Sequence, residues 1–342
     1  MKTSTISTLS VSNAMQLTIL NTQREIVKLQ TEAVTGTYAD LGVALGVNTS
    51  QSLNFSRESE RLKAIIDANA LAEQRMESSQ LAMENMSASA QKLVDTFVGL
   101  SGSTDSSTLA VAAATALAEL ENFSGYANTA VNGEFLFSGI NTDAQTLSST
   151  FVSDVTADFN AALETFLTDN GIASLGDMDA DQMTAFLDDY AENFDWSGWT
   201  NASDRAMTSR ISASETVETS VSANAEGFRN FVLSAVFASQ LMSADVSEAA
   251  RSSVSTRVTS LAGGAVSGID YQRSRLGLSQ ARVEKANEAM SAQKTIIDTQ
   301  FTNLVGVDKY EASVRLNTLL TQVETSYTIT ARIQQLSLAN FL

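Results

Sequence analysis

The chain contains no proline, no cysteine and no histidine in 342 residues. At ordinary usage of about 5%, a chain of this length carries roughly 17 prolines, so zero is not chance. Proline removes a backbone donor and clashes with the preceding helical turn. Its exclusion fits long uninterrupted helices and also removes slow prolyl isomerisation from folding. The lack of cysteine removes disulfide errors in a chain that changes redox compartment. Without cysteine or histidine there are no thiol nucleophiles, no imidazole bases and none of the usual zinc, haem or copper ligands.

Positive charge is also scarce. Lys and Arg number 21 against 39 Asp and Glu, a formal charge of -18. Such a chain repels nucleic acid and anionic lipid, so the expected partner is protein. No apolar stretch is long enough to span a bilayer. The most apolar, "FVLSAVFASQLM" (Phe231 to Met242), reads as a core helix. After Lys2 the sequence "TSTISTLSVSN" has no apolar signal region, so export is expected by a route without a cleaved signal.

What the sequence does have is helical periodicity. Near the N-terminus apolar or small residues recur in steps of four and three at Met15, Ile19, Thr22, Ile26, Leu29 and Ala33, stopping at "TGTYADLGVALG". A longer seam runs Leu62, Ile65, Asn69, Ala72, Met76, Ser79, Met83, Met86, Ala90, Leu93 and Phe97. At about 1.5 Å per residue that helix is roughly 50 Å long, a rod element. "GLSGSTDSSTL" breaks it, and a third helix is expected from about Thr108 to Asn132. Asn132-Gly133 then signals a turn, with "EFLFSG" as a short strand. Ile211 and Ala213, then Val217, Thr219 and Val221, alternate as a second hairpin would. Helices return from Phe228 and from Glu248, where "LAGGAVSGIDYQ" is either a loop or a glycine-weakened stretch of helix. Another seam follows: Leu276, Val283, Ala286, Met290, Gln293, Ile297, Phe301 and Leu304. The last helix carries Ala312, Leu316, Leu319, Val323, Ser326, Thr330 and Ile333.

These patterns predict a mainly α protein. Its two ends form a long antiparallel coiled-coil-like helical rod, with short β-hairpins and a small mixed α+β central insert. The expected divisions are an N-terminal helical assembly segment (1–45), long rod helices (46–140), a small separate insert (141–209), a hairpin with returning rod helices (210–305) and a C-terminal assembly segment (306–342). Between Leu316 and Leu342 only Glu324 and Arg332 are charged, and apolar side chains occupy almost every helical face. A single helix cannot bury such a surface, so more than one neighbour is implied. The expected interface comprises Met15, Ile19, Ile26 and Leu29 at one end. At the other it comprises Leu316, Leu320, Val323, Tyr327, Ile333, Leu336, Leu338, Phe341 and Leu342.

Several sharper motifs have plainer readings. "DMDADQMTAFLD" (Asp177 to Asp188) places Asp at positions one, three and five of a calcium loop, but Gln182 stands where the turn needs glycine. An acidic cap on the following helix is the plainer reading. "SAQK" occurs at Ser89–Lys92 and at Ser291–Lys294 without the other motifs of Ser-x-x-Lys enzymes, so both copies read as solvated helix surface. Gly42 and Gly46 read as a loop or a close backbone approach. Met76, Met83 and Met86 read as adaptable packing, and Trp196 and Trp199 as insert core with a binding platform as the minority reading. No catalytic residue, metal ligand or cofactor is expected, and no dinucleotide or Walker A fingerprint occurs.

Together "MKTSTISTLSVSNAM", "VNGEFLFSGINTD" and "SYTITARIQQLSLANFL" resemble the flagellin superfamily, and "FDWSGWTNASD" followed by "RIS" is similar to the centre of alphaproteobacterial hook-associated members. The resemblance implies a structural protein exported unfolded by the flagellar type III system, with terminal helices that order on assembly. The implied partners are its own copies in a ring, the first hook-associated protein, flagellin and an export chaperone, at an extracellular position in the bacterial flagellum. A filament flagellin has the same terminal features. A type III secreted helical effector or adhesin is a third reading.

Overall fold

The computed structural model describes residues 8–100 and 105–339. In chain order the helices are α1 (Thr8–Thr35), α2 (Leu41–Leu45), α3 (Thr49–Gly99) and α4 (Ser106–Ala127). The pair β1 (Ala130–Val131) and β2 (Glu134–Phe135) follows, then α5 (Phe151–Asp169), α6 (Ala180–Asn193), and the pair β3 (Thr208–Arg210) and β4 (Thr216–Glu218). The chain closes with α7 (Glu226–Leu241), α8 (Glu248–Val305) and α9 (Lys309–Ala339). The fold is mainly α, with two two-stranded antiparallel sheets. It divides into two compact units, 1–64 with 290–342, and 65–289, so α3 and α8 contribute residues to both.

In the first unit α1 and α9 pack along each other. Ser59 at the start of α3 donates to Asp298 of α8 at 2.6 Å, and Lys294 approaches the same carboxylate at 2.5 Å. Those two hydrogen bonds hold the Asp298 carboxyl below the usual carboxylate range. Lys294 therefore occupies the half-buried line of α8 here, and Gln293, expected in the seam, is exposed. An ion-paired lysine stem replaces an apolar contact.

In the second unit α3 and α8 run antiparallel, with polar bonds at intervals along them. Asn69 donates to Asn287 Oδ1 at 2.7 Å and to the Ile211 carbonyl at 3.0 Å. Gln80 donates to the Arg273 carbonyl at 2.8 Å, and Ser87 to Asp270 at 3.1 Å. Buried amide pairs of this kind favour one register over its neighbours. Between these bonds Met76, Met83 and Met86 are fully buried, as are Leu93 and Phe97 beyond them, which bears out the packing role read for the methionines.

The core centres on α7, which is buried at every residue from Phe231 to Ala238. Phe123 of α4 stacks on Phe231 with ring centroids 4.3 Å apart, and Phe228 meets Phe123 edge-on at 5.8 Å. The stretch around Gly263, Gly264 and Gly268 is helix, resolving the alternative left open by the sequence. The reason lies in the crossing of α7 and α8. A Cβ on Gly227 would fall 2.7 Å from the Ile269 nitrogen, and one on Gly268 would fall 2.7 Å from the Gly227 Cα. Both helices need glycine there so that the backbones can touch. Helix α4 ends at Ala127, short of the expected Asn132, because the next residues enter the hairpin. Its turn has Asn132 at φ 54° and Gly133 at φ 84°, the type I′ geometry that Asn-Gly favours.

The regular elements inside 141–200 are helices. Phe159 of α5 packs against Phe186 and Tyr190 of α6 and Phe237 of α7. Trp196 is buried and donates to the Ala223 carbonyl at 3.0 Å, the insert-core role expected of it.

Candidate assembly surface

The apolar periodicity of the chain ends places one face of α1 against one face of α9. On α1 the less exposed line includes Met15, Ile19, Thr22, Ile26, Leu29 and Ala33, with Ile19 and Leu29 buried. On α9 it is Ala312, Leu316, Leu319, Val323, Ser326 and Thr330, with Ala312 buried. Both lines are those read from the sequence. The pairing is antiparallel: Gln23 donates to the Tyr327 hydroxyl at 3.0 Å, and Thr330 reaches the Met15 sulfur at 3.6 Å.

A backbone clasp fixes the register where α1 ends and α9 begins. Tyr38 N–H donates to the Val305 carbonyl and Val307 N–H to the Gly36 carbonyl, each at 3.0 Å. Lys309 donates to the Val34 carbonyl at 3.1 Å, placing a cation at the C-terminal end of α1 where the helix dipole favours it. Glu32 is buried and accepts from the Ala39 N–H at 3.1 Å, tying down the turn. Among the described residues no salt bridge joins α1 to α9. Beyond Lys309 and Glu32 at the clasp, their contact is apolar and hydroxyl-lined.

Pairing leaves a second apolar set in solvent. Leu20, Val27 and Val34 recur every seven residues on α1 and are 51%, 64% and 73% exposed. Leu17, and on α9 Val314 and Ile329, are exposed as well. Of the expected interface residues, Leu316 and Val323 turn toward α1, whereas Leu320 and Tyr327 stand among the exposed ones. Ile333, Leu336 and Leu338 lie on α9 with side chains beyond the description, and Phe341 and Leu342 lie outside the described residues. The sequence reading missed the α1 stripe at Leu20, Val27 and Val34, although its seven-residue repeat was visible.

The sharper motifs resolve into structure. Asp179 caps α6, accepting from Gln182 N–H at 2.8 Å while the Gln182 side chain returns to the Asp179 N–H at 3.0 Å. The glutamine that spoils the calcium loop thus completes a capping box. Asp177 takes a hydrogen bond from Ser174, and Asp188 pairs with Arg257 at 2.9 Å. The first "SAQK" copy corrects the surface reading. Ser89 is buried and donates to Glu119 at 2.7 Å, while Lys92 approaches the same buried carboxylate at 2.5 Å. Burial opposes the charge on Glu119, but hydrogen bonds from Lys92, Ser89 and Asn122 and the Lys92 charge outweigh it. Its carboxyl is held below the ordinary range. This is an anchor of α4 to α3. Gly42 lies inside α2 and Gly46 closes it at φ 52° while opening a 3-10 turn, with nothing within 4 Å of a Cβ there, so these glycines stand in short helical turns rather than in a loop or a close backbone approach.

Among the described residues no group of three or more Asp, Glu, His or Cys side chains is arranged to hold a metal ion. Among those residues, too, no helix is long and apolar enough to cross a membrane.

Residues 6–142 match the bacterial flagellin N-terminal helical region, and residues 259–342 match the bacterial flagellin C-terminal helical region. Similar solved structures include one from Vibrio parahaemolyticus described as a candidate flagellar hook-associated protein. It is 12% identical with a TM-score of 0.54, and the likeness covers 75% of this chain and 97% of that one. At that identity the likeness speaks for the fold. No curated protein matches the chain in sequence.

Proposed function

This chain belongs to the flagellin family, and we propose that within the flagellum it is the subunit of the junction between hook and filament. Members of the family are structural proteins without enzymatic activity, and they self-associate in the flagellum. The observation that carries an assembly role is the double-faced α1. One apolar line is used against α9, and the other, through Leu20, Val27 and Val34, is left exposed among the described residues. Packing of that second face on further copies forms the inner layer of the assembly. The exposed residues of α9, Leu320 and Tyr327 among them, extend the same surface.

The junction position is supported by "NGEFLFSG" and the tryptophan-rich insert, and by the hook-associated description of the similar Vibrio fold. In this reading the ring rests on the first hook-associated protein and presents a surface to flagellin. The chain reaches it through the flagellar type III pathway with an export chaperone covering the apolar C-terminal helix. A filament flagellin is the competing reading, since the matched terminal regions are those of flagellin itself.

A deletion strain separates the two. Loss of the filament, with intact hooks and monomeric flagellin shed into the medium, is the expected result. Shortened but attached filaments would favour the flagellin reading, and normal flagella would overturn both.

A further inference from the structure

A cleft of about 450 Å3 lies among the C-terminal ends of α5 and α6 and the turn that carries Trp199. Phe166, Tyr190, Phe194 and Trp199 give it aromatic walls, with Trp199 half-buried and nearly parallel to Phe194. Four exposed carboxylates border it: Asp158, Asp169, Asp189 and Asp195. No Lys or Arg lines it, and among the described residues none of the four carboxylates makes a salt bridge. The neighbouring Asp188, by contrast, has its arginine.

Three of the four make hydrogen bonds within the chain, Asp189 accepting from Asn193 Nδ2 at 2.9 Å. Asp158 accepts from the Tyr190 hydroxyl at 2.9 Å, and Asp195 caps the turn that begins at Trp196. Asp169 and Asp189 both stand at the unfavourable ends of their own helix dipoles. Asp169 is the final residue of α5 and Asp189 lies in the closing turns of α6, where a negative charge opposes the helix dipole. Neither helix has a basic residue of its own in its last turn, although Arg229 of α7 donates to the Ala191 carbonyl at the end of α6. Carboxylates without a salt bridge beside aromatic rings make a site for a cation that the lining of the cleft does not supply.

We infer that this cleft receives the side-chain cation of a basic residue, arginine by preference, presented by a separate protein chain. Aromatic faces attract a cation electrostatically. A guanidinium is flat enough to lie on such a ring while its edge donates two hydrogen bonds to a carboxylate, which a point-like ammonium does less well. The space fits a side chain with its stem. A polyanionic partner is opposed by the carboxylates themselves and by the -18 charge of the chain. The inference does not depend on whether the subunit belongs to junction or filament.

The test uses the full chain labelled with 5-fluorotryptophan, whose two fluorine resonances separate buried Trp196 from Trp199. The probes are the peptide acetyl-Gly-Arg-Gly-amide and its Gln counterpart. The Arg peptide should shift the Trp199 resonance saturably while the Gln peptide does not. The Asp169→Asn, Asp189→Asn double variant should weaken that binding at least fivefold. Its melting temperature should not fall, because the charges removed oppose their own helices. An unmoved Trp199 resonance, an equal response to the Gln peptide, or undiminished binding by the double variant would each overturn the inference.

Discussion

Replacing Leu20, Val27 and Val34 together with glutamine should abolish assembly while leaving the subunit's own fold intact. A fully buried aliphatic side chain contributes about 1.5–3 kcal/mol. These three are 51–73% exposed, so roughly half to three quarters of that remains available to a neighbour. The sum is on the order of 3–5 kcal/mol per subunit before ordering costs, an affinity change of about 10²- to 10⁴-fold. Glutamine is at least as good a helix former as valine, so α1 is not weakened locally. Leu29→Ala is the contrasting perturbation. Leu29 is buried against α9, and its truncation should cost about 2–5 kcal/mol of subunit stability. The readouts are a thermal melt followed by circular dichroism and incorporation into flagella by electron microscopy of cells producing each variant. Normal incorporation of the triple variant would refute the reasoning, as would a melt that falls with it as far as with Leu29→Ala.

Three further outcomes are expected. Gly268→Ala should lower the melting temperature, by about 1–3 kcal/mol of overpacking against Gly227. Gly263→Ala, whose Cβ meets nothing within 4 Å, should raise stability by up to about 1 kcal/mol through helix propensity, so the pair separates packing from propensity. The folded-state carboxyls of Glu119 and Asp105 titrate below their ordinary values of 4.5 and 3.8, Asp105 at about 2. Their stabilisation is therefore complete above those ordinary values and fades as pH falls through the folded ones. A melt series from pH 6 to pH 2 should show this acid loss, and Glu119→Gln should flatten its Glu119 part. Removing Gln334–Leu342 should leave a folded protein that fails to join the hook tip, read by the same microscopy; normal capping would count against assembly through the terminal helices.

Much of the helical layout was legible because each long helix has one neighbour on its main face. On α3 each of the eleven positions read from Leu62 to Phe97 is buried or half-buried. The terminal lines on α1 and α9 were equally plain. The sequence reading failed where a polar residue serves two helices. Ser89 and Lys92 look like solvated surface until Glu119 arrives from α4. Lys294 displaces Gln293 from the seam because Asp298 and Ser59 meet it there.

By itself the sequence determined the mainly α character and the boundaries of most long helices. It also determined that the ends carry more apolar surface than one partner can cover. Periodicity and proline exclusion are properties of the chain read along its length, and they survive without knowledge of what packs where. Only the tertiary structure decided that Gly227 and Gly268 touch, that Glu119 is a buried anchor, and that Asp169 and Asp189 converge on Trp199. Those residues are brought together by helix crossings, and the spacing of residues within one helix carries no information about which other helix crosses it.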